Sequence, residues 1–213
     1  ERIGGEISLA LTAGEDGHVL RGALFKADRS LLSKSLFSQR GRVHIDDGGP
    51  SNTAKLSSYA VSLSGGIGGN LDLDYHAAFM SQASRGVDLS AEKSFALALG
   101  GEWPMARGWT IAPFAEVVRQ NDADGLDGTD RTFWTAALST ANGSWNLALA
   151  NTWWRLSDPA VGAASARQLQ LSAGYAFGNS VTLDFGWKWS AEGGENAHTF
   201  GLLLAYEFDF GRE

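Results

Sequence analysis

His198 to Phe210 reads HTFGLLLAYEFDF, and from Phe200 onward every second residue is large and apolar: Phe200, Leu202, Leu204, Tyr206, Phe208, Phe210. Between them stand Gly201, Leu203, Ala205, Glu207 and Asp209. A period of two, with carboxylates on one side and aromatics on the other, is the pattern of a β-strand with one wet and one oily face.

The pattern recurs along the chain. Ser180 to Ser190 alternates Val181, Leu183, Phe185, Trp187 and Trp189 with Thr182, Asp184, Gly186 and Lys188. Gln168 to Phe177, Asn70 to Met80 and Ile3 to Leu11 repeat it, and weaker versions run over Val19–Ala27, Lys55–Ser64, Ser94–Gly100, Trp109–Gln120, Phe133–Thr140 and Trp145–Leu156. Leu31 to Asp46 is poorly patterned and is read as a strand because so long a connection would be unusual.

The connections alternate too. GGIGGN (Gly65–Asn70), NGS (Asn142–Ser144) and GNS (Gly178–Ser180) are tight turns of Gly and Asn, residues that tolerate positive φ. Longer polar loops are expected at Ser81–Lys93, Asn121–Arg131, Ser157–Arg167 and Ser190–Asn196. With Leu31–Asp46 included, the sequence predicts about twelve antiparallel strands closing into one transmembrane β-barrel over residues 1–213, short turns at one rim and long loops at the other. Without that segment the count is odd, and Glu1 falls on the long-loop side, as if a strand preceded it.

Alternation alone does not say which face points outward. About eight strands can fill a barrel with side chains, whereas about twelve leave a lumen too wide to fill. The apolar face must then face out, toward lipid, and the face of Ser, Ala, Gly, Thr, Asn and Gln must face in. The alternative is a soluble two-sheet β protein in which the same residues form a core.

Composition agrees. Charged residues are 19% and tryptophans number 8, few charges and many aromatics for a soluble domain. No apolar run approaches the roughly 20 residues of a membrane helix. Cysteine is absent, so disulfides, thiolate metal sites and thiol nucleophiles are excluded. A net charge of -7 argues against a nucleic-acid partner. The chain opens on Glu1 with neither an initiator Met nor a signal peptide, so an upstream segment is expected.

Gly108 to Gly128, GWTIAPFAEVVRQNDADGLDG, places a proline–aromatic pair, Pro113 and Phe114, within an alternating run and follows it with a polar loop. This stretch is similar to a strand and loop of autotransporter β-domains, and Tyr206, Phe208 and Phe210 resemble the C-terminal assembly signal of bacterial outer-membrane β-barrels, although Gly211, Arg212 and Glu213 follow here. The resemblance implies type V secretion: location in the outer membrane of a Gram-negative cell, outer-membrane lipid and barrel-insertion machinery as partners, and a translocator that displays an N-terminal passenger. Strand pattern begins by Ile3, so this sequence shows neither the family's lumen helix nor a passenger, as expected either where they have been cleaved or trimmed or of a barrel that stands alone. The alternative is a stand-alone, porin-like channel for small solutes.

The inward candidates are Glu6, Asp72, Asp74, His76, Glu116, Asp184, Lys188, Glu207 and Asp209, an acidic set that predicts cation preference in an open lumen. The expected aromatic girdles comprise Trp103, Trp109, Trp145, Tyr175, Trp187 and Trp189. No enzyme, cofactor or metal is expected. None of His18, His44, His76 and His198 begins the His-x-Ser of outer-membrane acyl hydrolases, and a lone His44-x-Asp46 is a weak protease sign. Asp72, Asp74 and His76 span roughly 13 Å of strand at ~3.3 Å per residue, too far to share one ion. NDADGLDGTD (Asn121–Asp130) lacks the spacing of a calcium loop and is read as a solvated loop. An outer-membrane hydrolase therefore ranks third among the readings.

Overall fold

Period-two alternation becomes a single antiparallel sheet. A computed structural model describes residues 2–11, 17–27, 49–68, 72–84, 90–178 and 181–206. Its strands are β1 (Arg2–Ala10), β2 (Val19–Ala27), β3 (Ser58–Ile67), β4 (Leu73–Gln82), β5 (Glu92–Gly101), β6 (Trp103–Pro104), β7 (Thr110–Asn121), β8 (Asp130–Asn142), β9 (Trp145–Asp158), β10 (Gly162–Phe177), β11 (Val181–Glu192) and β12 (Glu195–Tyr206). They form one 12-stranded sheet in chain order, with the two-residue β6 attached only to β7.

The expected count of about twelve is met with a different member. Residues 31–46 lie outside the described residues, but β2 pairs directly with β3, so no strand is interposed between them. Eleven strands make up the main path, which leaves β1 and β12 running the same way. The described sheet is accordingly open, with β1 and β12 as its edges. The parity supplies a reason: direct closure would need a parallel seam in an otherwise antiparallel meander. β1 begins on the loop side, the position expected for an odd count.

Two of the expected long loops are instead strand. β9 and β10 run on through Ser157–Arg167 and are joined by three residues, and β11 and β12 are joined by Gly193 and Gly194 alone. Both glycines have positive φ, 58° and 85°, as a two-residue primed turn requires. At the other turn the Asp158 carboxylate accepts the backbone N–H groups of Ala160 and Val161, at 2.7 and 3.0 Å. The connections over 28–57, 83–91 and 122–129 remain long.

Pro113 lies in β7 without breaking the sheet. The β5–β7 ladder ends at Gly100↔Phe114, and the β6–β7 pair begins at Trp103↔Ile111, so the proline sits in the gap between ladders, where no N–H is required.

The register sorts the sheet into two faces. Arg2 on β1 reaches Gln82 near the end of β4, three strands away, with Nη2 donating to Oε1 at 2.8 Å. Three ladder spacings of about 4.8 Å can be spanned this way only inside a curl, so the face bearing Arg2 is concave there. The opposite face carries most of the large apolar residues, although Phe25, Phe114, Phe133 and Trp154 share the face of Arg2 by register.

Candidate functional site

The face bearing Arg2 is mostly small and polar, interrupted by Phe25, Phe114, Val118, Leu203 and the Phe133–Trp154 ring pair. Glu6, Asp74, His76, Glu116, Asp184 and Lys188 all share it by register, as the alternation predicts. Asp72 lies just before β4 in the connecting turn, and Glu207 and Asp209 fall outside the described residues. Among the described residues, no ion pair joins any of these side chains to another. Arg2, Arg21 and Arg131 also share this face, and so do Glu92, Glu192 and Glu195, so the described residues add both bases and acids to the set.

What the sequence did not reveal is a buried polar cluster near the loop-side rim. Gln82 Oε1 accepts from Arg2 and from Ser51 Oγ at 2.9 Å, while Gln82 Nε2 donates to Glu92 Oε1 at 2.7 Å. Ser94 Oγ donates to the same Glu92 oxygen, and the backbone N–H of Asp124 donates to the other at 2.9 Å. Ser51 itself is anchored by its backbone, its N–H donating to Ala83 O and its carbonyl accepting from Ala27 N–H. The Arg2 guanidinium lies over the Phe25 ring at 4.7 Å, and Ser51 holds a positive φ of 62°. These partners come from β1, β4, β5 and two loops, so no local sequence pattern announces them. The only available signal was that Gln82, Glu92 and Ser94 stand on the polar parity of their strands.

The outward face inverts the polarity of a soluble protein. Its apolar side chains are exposed across the sheet, with Ile7 at 79%, Leu202 at 74% and Phe200 at 68%, while Phe25, Ala98 and Ala123 are the only buried hydrophobic residues among those described. Trp145 and Tyr175 meet at the turn-side end with ring centroids 4.7 Å apart, and Tyr175 packs on Phe177. Trp103 and Trp109 are on that side as well. Trp187 and Trp189 lie farther along β11, where Trp187 stacks on His198. Trp134 and Trp153, absent from the expected girdle, stack with rings 12° from parallel toward the loop side. From Trp145 to Trp153 is eight residues, roughly 27 Å of strand at ~3.4 Å per residue, or about 20 Å of height at the tilt common in barrels.

One close approach ties β2 to β4 across this face. His18 lies over Gly65 of β3, and its Nδ1 meets the Tyr75 hydroxyl at 2.9 Å. A Cβ at Gly65 would overlap the His18 ring.

Tyr206 ends β12; its expected companions Phe208 and Phe210, like His44 and Asp46, lie outside the described residues. Among the described residues, no three His, Asp or Glu side chains converge as a metal site would require. No protein-family model matches the chain, and no curated protein matches it in sequence.

Proposed function

We propose that this chain is the wall of a bacterial outer-membrane β-barrel that anchors and translocates an N-terminal passenger, as in type V secretion. One observation carries the membrane assignment: a continuous sheet whose large apolar residues are exposed on one face while the described residues bury almost none. An apolar surface of this width in water would be far beyond the patch size monomeric proteins expose. Lipid is the solvent that suits it. The inward face of small and polar residues suits a hydrated passage. The barrel closes when one further strand, antiparallel to both, joins β1 to β12.

The alternative is a stand-alone channel, favoured by the uncluttered inward face of β8–β12, where Ala148, Ala150, Ser172, Gly186 and Gly201 leave space. The test places an epitope ahead of the strand that completes the barrel, on its turn side, behind a secretion signal in a Gram-negative host, because a tag directly ahead of Arg2 would already lie on the loop side. Surface exposure of the epitope, together with detergent-resistant and heat-modifiable migration of the barrel, is the expected result. A heat-modifiable barrel with a periplasmic epitope leaves the channel reading; a protein found in the soluble fraction overturns the membrane assignment altogether.

A further inference from the structure

The basic residues of the outward face are not scattered. Lys26, Lys93, Arg119, Arg155 and Arg167 all belong to the loop-side part of their strands, and the turn-side part carries none among the described residues. Among the described strand residues the outward face carries one carboxylate, Asp130, which pairs with Arg119 at 3.4 Å. In a chain of net charge -7, a collar of positive charge limited to one edge of an apolar band is a directed feature.

Arg155 and Arg167 are its best-built part. They lie on neighbouring strands, one diagonal apart, since Arg155 pairs with Ser165 and Trp153 with Arg167. Diagonal neighbours stand roughly 7–8 Å apart, within reach of two long side chains closing on one anion. Asn151 Oδ1 accepts from Arg167 Nε at 2.8 Å, which steadies that guanidinium and leaves its terminal N–H groups free to bind. Arg155 has no hydrogen-bond partner among the described residues. The pair opens into a cleft of about 840 Å³ that Trp134, Trp153 and Trp189 also line. Glu192 and Glu195 border the cleft from the tip of the β11–β12 hairpin, but neither forms an ion pair with either arginine.

Resting on the membrane assignment above, we infer that Arg155 and Arg167 dock the phosphate of a lipid headgroup in the loop-side leaflet, the three tryptophans packing against the adjoining apolar part of the lipid. Guanidinium forks match phosphate oxygens bidentately, and indole rings favour the level where chain meets headgroup. The collar then fixes how deep the wall sits and gives the two leaflets different lipid preferences.

The experiment uses the full chain in a neutral detergent, titrated with phosphatidic acid, with phosphatidylcholine and with inorganic phosphate, and read by native mass spectrometry and tryptophan fluorescence. Phosphatidic acid should bind in preference to phosphatidylcholine and quench or shift the tryptophan emission. The Arg155→Gln, Arg167→Gln double variant should weaken that binding about tenfold or more, from ~1 kcal/mol per basic residue near a charged lipid surface. Arg107→Gln, which removes one positive charge from the turn at the other rim, should leave it unchanged, whereas either single variant, Arg155→Gln or Arg167→Gln, should weaken it. An Arg155→Lys, Arg167→Lys variant should retain part of the affinity, since charge survives while bidentate geometry is lost.

Equal binding of both lipids, loss with Arg107→Gln equal to that of the double variant, or binding of inorganic phosphate as tight as of the lipid would each overturn the inference. Heat-modifiable migration of every variant is measured alongside. Wild-type protein that migrates as a membrane barrel but does not select the phosphate lipid sinks this inference alone. Wild-type protein with no heat-modifiable form sinks the membrane assignment with it.

Discussion

The two halves of the sheet solve the same problem differently. From Arg2 to Thr129 the concave side is filled: Ser51, Ser58, Gln82, Glu92, Ser94 and Thr129 are buried, and two loops fold in to satisfy them. From Asp130 to Tyr206 the strands are longer hairpins joined by tight turns, and no side chain among the described residues there is buried. The first half is held by contacts distant in sequence, the second by neighbours. Loss of one group should therefore be costly in the first and cheap in the second.

The largest expected effect tests this directly. Glu92→Ala removes the acceptor of Gln82 Nε2, of Ser94 Oγ and of the Asp124 N–H, leaving two buried donors and one part-buried donor unpaired, a buried one costing about 1–3 kcal/mol. We expect about 3 kcal/mol of lost stability, seen as a lower urea midpoint in detergent. Thr152→Ala in the second half removes one hydroxyl hydrogen bond, to Thr135 at 3.1 Å, and should cost no more than about 1 kcal/mol. Equal losses would mean the contrast between the halves has no energetic content.

A smaller contrast is steric. At Gly65→Val the new side chain overlaps His18 and breaks its contact with Tyr75, an overpacking cost of about 2 kcal/mol. Gly186 of β11 has open space where a Cβ would go, so Gly186→Val should change the thermal midpoint little. A comparable loss at both sites would show that strand glycines matter here for reasons other than approach.

The halves also differ in how far their sequence can be read. Alternation locates every main-path strand, because a sheet with one apolar face must write its period into the chain. Alternation understates the hairpins at Ser157–Arg167 and Ser190–Asn196: outward polar residues such as Ser157, Ser165 and Arg167 look like loop once the apolar alternation stops. The Gly193–Gly194 pair was the overlooked turn signal. The cluster around Glu92 was illegible for a different reason, since its members are joined by a curl whose radius no local pattern encodes. Parity is legible only as a conditional on residues 31–46, which lie outside the described residues; the direct β2–β3 pairing makes the main path of the described sheet odd.

Gly194→Ala sharpens the comparison at the hairpin edge. The turn holds Gly194 at φ 85°, where a Cβ costs about 1 kcal/mol. Because β11–β12 borders an open edge, the loss should stay local: faster amide hydrogen exchange across Glu192–Glu195, with the urea midpoint little moved. A global shift would show that this edge is as tightly coupled as the filled half.

The smallest effect concerns Asp158, the last residue of β9, beyond the apolar band. Backbone N–H groups of Val161 and Ala160, then the Thr129 hydroxyl, hold its carboxylate below the usual carboxylate range. A depressed folded-state value means that the ordering of this turn is complete above the ordinary carboxylate pKa, 3.8 for Asp, and is lost only as pH falls through the lower folded value. Amide resonances of Ala160 and Val161 should hold their positions from neutral pH to below the point where a free aspartate titrates, then move together. In Asp158→Asn they should show no such step, and Thr129, which joins the filled half to this turn, should lose its side-chain acceptor only in the wild type at the acid end. Movement of these amides at an ordinary carboxylate pKa would mean the turn is held by its backbone alone, and that the hairpin half owes nothing to this carboxylate.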